Sequence, residues 1–299
     1  MKSILIFGRG FLAQSLLDYI PPSVEIALVS KFSETTKNDR VNTRYFSDIR
    51  LLPKRFDWDL VIFCSGPSDP STLTAEAATL CTAQLRGALA SSLSAKAFMY
   101  MSSGGAIYAP SQEPMNENHT LDIQSTYSLM HSQNELALQH ATSIPARISL
   151  RLGNPFGRRQ DPSRSVGFVT KTYRCAVARE VLDVVSNGEI TRDFFHVRSL
   201  LEILFHDNLK AFRGFEIYNF GCGRSVSLNQ IVDVVESVTR RSVIKNYLRN
   251  IAVRRPVVEL DVGKLARHFP KLEIVPACGG VALLNQECIE FVSAASGAD

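Results

Sequence analysis

The turn Gly8-Arg9-Gly10-Phe11-Leu12-Ala13, directly behind the apolar run Ile4-Leu5-Ile6-Phe7, constrains the fold more than any other stretch of the 299 residues. Glycines at the first and third positions, between a buried strand and a helix, let backbone N–H groups and the positive helix end approach a pyrophosphate without obstruction by Cβ atoms. Ala13, three residues on, is small enough for helix and strand to pack closely. The helix continues through Ser15, Leu16, Leu17 and Ile20 and is stopped by Pro21-Pro22, and residues 24–29 supply the next strand. A plain strand-to-helix turn would use the same spacing. The position at residue 8, behind an apolar strand, favours dinucleotide binding.

Further apolar runs at 60–63, 97–101 and 148–152 are separated by helix-like stretches at 71–93 and 126–141. Strands without polar alternation, spaced by helices, predict a parallel sheet covered on both faces. The expected class is therefore α/β, a doubly wound parallel Rossmann sheet with a smaller mixed α/β substrate domain. Past Asn154-Pro155-Phe156-Gly157, residues 158–165 form a loop rich in Arg, Asp, Pro and Ser, which marks a boundary. Downstream, residues 181–185 and 193–197 read as strands around a hairpin-type turn at Asn187-Gly188. Ser227 and Gln230 form the signature of a capping box, opening a helix over 231–238.

With 45% hydrophobic and 21% charged residues the chain is an ordinary globular protein, which excludes collagen-like, coiled-coil and disordered classes. The net charge of +4 comes from 33 basic against 29 acidic residues spread along the chain. Pairs such as Arg158/Arg159, Arg240/Arg241 and Arg254/Arg255 are too short for a nucleic-acid or membrane stripe, and a small anionic ligand fits better. Six cysteines lie far apart with no CxxC pair and no histidine at metal-ligand spacing, so no metal is expected and reduced thiols in the cytoplasm are. The N-terminal apolar run is too short for a signal peptide, and nothing approaches the ~20 residues of a membrane span.

The cofactor can be narrowed further. An NAD site usually carries Asp or Glu about 20 residues past the glycines, where it holds the ribose hydroxyls. Here the chain reads Val29-Ser30-Lys31. Lys31 can pair with a 2′-phosphate, Ser30 can hydrogen-bond it, and Arg9 sits inside the glycine turn, so NADP(H) is preferred and NAD(H) remains possible. Solvated surface charge is the bland alternative for Arg9 and Lys31.

Several segments, in order from residue 4 to about 265, resemble the extended short-chain dehydrogenase/reductases, in their nucleotide-sugar epimerase, dehydratase and reductase branch. They are the glycine turn, Tyr100-Met101-Ser102-Ser103-Gly104-Gly105-Ala106-Ile107-Tyr108, the Tyr127 segment, Arg151-Leu152-Gly153-Asn154-Pro155-Phe156-Gly157, Thr191-Arg192-Asp193-Phe194-Phe195-His196-Val197 and Tyr218-Asn219-Phe220-Gly221. The resemblance implies that Tyr127 moves a proton at a sugar oxygen held also by Ser103, with Ser102 as the second choice of serine. The family places a lysine four residues after this tyrosine; here that position is His131, with Glu135 one turn further. A neutral imidazole stabilises a tyrosinate less than an ammonium does, so activity would fall as His131 deprotonates, or rely on another cation.

By the same resemblance Gly8, Arg9, Gly10, Phe11, Leu12, Ser30, Lys31, Asp48, Cys64, Ser65, Gly66, Tyr127 and His131 bind the cofactor. Ser103, Asn154, Arg192 and Arg255 bind a nucleotide sugar; an Arg192–Asp193 ion pair is the bland alternative for Arg192. Residues 1–160 plus about 191–222 are expected to form the dinucleotide-binding domain, and about 161–190 plus 223–299 the substrate domain. A homodimer through a four-helix contact is implied as well. Because reduction consumes NADPH, the leading expectation is an NADPH-dependent reductase of a nucleotide-linked keto-sugar. An NAD-dependent nucleotide-sugar epimerase is the alternative, and a catalytically impaired cofactor-binding protein the third reading. Dehydration is disfavoured, since Gly104-Gly105 lacks the acidic pair of a dehydratase.

Overall fold

Strands made only of Ile, Leu, Val, Phe, Met and Ala have no face to offer water, so they assemble where helices cover both sides. A computed structural model of the chain describes residues 1–30, 43–52, 57–67, 72–161, 163–164, 166–248 and 253–296. Seven strands form one parallel sheet: β1 Ser3–Phe7, β2 Glu25–Val29, β3 Thr43–Phe46, β4 Leu60–Phe63, β5 Ala97–Ser103, β6 Ala146–Leu152 and β7 Gly214–Phe220. Their order is β7-β6-β5-β4-β1-β2-β3, so the direction of winding reverses between β1 and β4. Ligands of open α/β sheets bind outside the carboxyl ends at such a reversal. Phe7 lies beside both Val29 and Phe63, which brings the ends of three strands level there.

Helix α1 (Phe11–Tyr19) packs one face of the sheet through Ala13, Leu16 and Leu17. Helices α2 (Ala75–Ser91) and α3 (Thr126–His140) lie together on the other, through Leu85, Ala88, Leu89 and Leu138. Ser125 and Ser128 close a reciprocal capping box at the start of α3, which fixes Tyr127 in its first turn.

A separate core joins α4 (Phe168–Ala178), α5 (Leu228–Thr239) and α6 (Ala277–Ser296) through Val169, Leu182, Val184, Ile231, Val235, Val281 and Leu284. The expected capping box of Ser227 and Gln230 opens α5. The hairpin expected around Asn187-Gly188 is not formed. Val181–Val185 pairs in parallel with Ile244–Leu248, while Thr191–Arg192 pairs with Val226–Ser227 and Val257–Val258. The physical reason is that both strands find other partners: Ile244–Leu248 takes the edge of Val181–Val185 and Asn154–Phe156 pairs with Phe194–His196, while the Asn229 amide bonds the Asn187 carbonyl at 2.9 Å and fills the space beside Gly188. Leu265 and Phe269, far along the chain, return to the first core. No helix among the described residues is long and apolar enough to cross a membrane.

Candidate active site

A cavity of about 1580 Å³ opens at the carboxyl ends of the sheet. Single-ligand pockets are usually about 300–1,000 Å³, so this one has room for two molecules side by side. One half is lined by Gly8, Arg9, Gly10, Phe11, Leu12, Ser30, Asp48, Cys64, Ser65 and Gly66, and the other by Ser103, Tyr127, His131, Asn154 and Arg192. Lys31 lies outside the described residues.

In the first half Gly8 has φ +110°, and a Cβ there would meet the Ser65 backbone nitrogen at 2.8 Å, so only glycine lets the turn press against the end of β4. A Cβ on Gly10 would meet nothing within 4 Å, and no side chain caps α1. The first N–H groups of α1 are therefore left for an anionic ligand, which suits a dinucleotide pyrophosphate. The Arg9 guanidinium lies 5.4 Å from the centre of the Tyr45 ring. Asp48 is held in a fork by Arg50, at 2.9 and 2.6 Å, which pulls its carboxyl down to about 2. Burial pushes the Cys64 thiol up to about 12, leaving it a neutral packing group.

In the second half Ser103 ends β5 and stands beside Tyr127, and burial pushes that phenol above its ordinary range. Ser102 points away and donates to Glu135 Oε1 at 2.7 Å, so Ser103 is the serine that meets the tyrosine. The His131 ring stands edge-on to Tyr127, with centres 4.4 Å apart. Burial drives its pKa down to about 3. The ring is thus already neutral throughout the neutral range, and the expectation that activity falls as His131 deprotonates is corrected. Neither does the nearby buried cation replace a lysine. Arg151 is bound by Glu135 at 3.0 and 2.7 Å, and reaches the Tyr108 hydroxyl at 3.0 Å. Sequence reasoning missed this pair, along with Tyr100 and Asn134 beside His131; their only trace was the helical spacing of His131, Asn134 and Glu135.

At the far end the Asn154 side-chain nitrogen is buried without a partner. Arg192 donates to the carbonyls of Thr191 and Pro256, at 2.7 and 3.2 Å. Burial and the neighbouring Arg255 cation push its pKa down. Asp193 does not pair with it. It accepts the N–H groups of Cys222 and Gly223, at 2.7 and 3.0 Å, and burial raises its carboxyl to about 6. Arg255, expected as a diphosphate contact, is not among the lining residues: its guanidinium is occupied by the Tyr108 carbonyl at 2.7 Å and Asp122 at 2.8 Å. Among the described residues no group of three His, Cys, Asp or Glu is placed to hold a metal ion.

A glycine cradle at a topological switch point, on a cavity with room for two ligands, defines a Rossmann-type α/β protein of the nucleotide-binding class. Residues 4–221 match the model of the NAD dependent epimerase/dehydratase family, and the chain belongs to that family. It is similar to a putative UDP-glucose 4-epimerase of Methanocaldococcus jannaschii, 30% identical over 142 residues, which are 46% of this chain and 45% of that one. It is also similar to the dTDP-4-dehydro-6-deoxyglucose reductase of Escherichia coli, 25% identical over 167 residues, 55% of this chain and 52% of that one. The chain thus spans about half the length of the curated relatives it matches. The structure of Thermotoga maritima UDP-glucose 4-epimerase with UDP-glucose shares the fold, with a TM-score of 0.79 and 19% identity over 97% of this chain and 99% of that one.

Proposed function

We propose that the protein is a cytoplasmic NADPH-dependent reductase of a nucleotide-linked keto-sugar. The observation that carries this reading is the setting of Tyr127 on the cavity: a phenol beside Ser103 that desolvation holds above its ordinary pKa, with the neutral His131 ring 4.4 Å from it where the family has an ammonium. Such a phenol keeps its proton at neutral pH. It is ready to give that proton to a carbonyl oxygen and poorly suited to take one from a sugar hydroxyl. Reduction begins with the first step, epimerisation and dehydration with the second.

The glycine turn would hold the nicotinamide nucleotide, which supplies hydride to the carbonyl carbon. Tyr127 donates its proton to the carbonyl oxygen, and Ser103 orients that oxygen by a second hydrogen bond. Asn154 and Arg192 offer donors to the sugar-linked diphosphate, the one through its unpartnered nitrogen and the other as a fork. The E. coli relative, named as a reductase, supports this reading. An NAD-dependent epimerase is the second reading, supported by the name of the M. jannaschii relative. We keep the domain partition given above as part of the proposal, with Leu265 and Phe269 reassigned to the dinucleotide-binding core.

The cofactor preference rests on Ser30 and Arg9 in the cavity lining, and on Lys31 in the sequence where an NAD site usually has a carboxylate. Titrated into cofactor-stripped protein, NADPH is expected to bind about 10–100-fold tighter than NADH, the range of one charge-assisted contact. Lys31→Asp is expected to reverse the order. Preference for NADH in the wild type moves the weight to the epimerase, and binding of neither to the catalytically impaired reading.

A homodimer is the further part of the proposal. The outer face of α3 carries exposed Leu129 and Leu136, seven residues apart, and α2 carries exposed Leu80, while the one carboxylate of α3, Glu135, is buried. Sedimentation is expected to show a dimer that Leu129→Glu with Leu136→Glu converts to monomer; an unchanged mass for the variant would dismiss this interface.

A further inference from the structure

Tyr100 of β5 and His131 and Asn134 of α3 are each at least nineteen-twentieths buried. The Tyr100 hydroxyl lies 2.6 Å from His131 Nδ1 and accepts a hydrogen bond from the Asn134 side-chain nitrogen at 3.0 Å. His131 lines the cavity, and its Nε2 is buried with no partner in the protein. Buried polar groups without partners are uncommon in folded proteins, so an unpartnered ring nitrogen on a ligand cavity points to the ligand.

The donor count sets which ring nitrogen carries the proton. A phenol hydroxyl has one proton to give. Asn134 donates to the Tyr100 oxygen, so the Tyr100 proton has His131 Nδ1 as its acceptor, and the imidazole proton is left on Nε2. The reverse chain, with the Asn134 amide turned round, would bury both of its amide protons without an acceptor, and orphaned N–H groups are rarer than orphaned carbonyls. We infer that Tyr100 and Asn134 are positioning residues that lock His131 in the Nε2–H tautomer, so that it presents a fixed, uncharged hydrogen-bond donor to the nucleotide in the cavity.

The inference rests on the proposal that a nicotinamide nucleotide occupies the cavity, but its first test does not. In cofactor-free protein labelled with ¹⁵N in the imidazole rings, long-range ¹H–¹⁵N correlation is expected to show His131 as a single tautomer protonated on Nε2. Tyr100→Phe, which removes the partner of Nδ1 and keeps the ring, is expected to turn this into a mixture. Protonation on Nδ1 in the wild type, or an unchanged tautomer in Tyr100→Phe, overturns the inference and leaves the reductase reading intact.

The second test is NADPH affinity. His131→Leu removes the donor and is expected to weaken binding about 3–10-fold, the scale of one neutral hydrogen bond. His131→Gln, whose amide can return a donor near the place of Nε2, is expected to recover all but about twofold. Equal affinity for wild type and His131→Leu overturns the donor role. A wild-type protein that binds neither NADPH nor NADH overturns the cofactor reading, and the donor role with it.

Discussion

Tyr127→Phe will abolish reduction of the keto-sugar while leaving the nucleotide bound. General acid catalysis by a positioned side chain contributes about 10²–10⁴ in rate, and the variant removes the hydroxyl proposed to deliver the proton. Phenylalanine keeps the ring against His131 and the helix start capped by Ser125, neither of which uses the hydroxyl. Single-turnover rates are therefore expected to fall by that factor while the Kd for NADPH moves less than about threefold. A fall of less than tenfold would mean that another group supplies the proton. The pH profile adds an independent check. His131 titrates near 3, and Tyr127 is held above its ordinary value of 10.0, so neither ring changes charge between about pH 5 and 9. The active form is the protonated phenol, so the rate stays level across that window as far as these two groups set it. It drops only on the alkaline side, once Tyr127 loses its proton.

The second large effect is on stability. The Arg151 guanidinium and Glu135 carboxylate, both almost fully buried, tie β6 to α3, with Ser102 and Ser149 completing the carboxylate's bonds. Removing one member of a buried pair leaves the other uncompensated, at a cost of about 3–5 kcal/mol. Arg151→Met is expected to lose that much in urea unfolding. Replacing both residues by apolar ones of similar volume commonly recovers most of such a loss, so Arg151→Met with Glu135→Leu is expected to stand closer to the wild type than the single variant. A single variant within about 1 kcal/mol of the wild type would show that the carboxylate had found water or a proton.

The parts of this site legible in the sequence were those written in local spacing. The glycine turn, the strand runs and the capping box at Ser227 each depend on residues close along the chain, or on segments whose order matches the family. What escaped is held by contacts across elements. Tyr100 meets His131 from a strand 31 residues away, and Arg151 meets Glu135 from the neighbouring strand, 16 residues further along the chain. Arg255 is the converse case: the resemblance implied a phosphate contact, yet Asp122, 133 positions earlier, already held it. The hairpin at Asn187 failed for a related reason, since turn chemistry specifies a bend and leaves the partner of each strand to tertiary packing.

The socket around His131 also bears on how this chain can change over generations. A lysine at 131 would bring an ammonium, which has only protons to give, into a space where Asn134 already donates and where Glu135 is already taken by Arg151. Burying it there costs desolvation that only the unpartnered Asn134 Oδ1 stands ready to offset, so exchange of the histidine for the family's lysine draws positions 100 and 134 into the change. The histidine is entrenched by its neighbours. Its departure from the family pattern is a property of three residues together, and drift at any one of them is constrained by the other two.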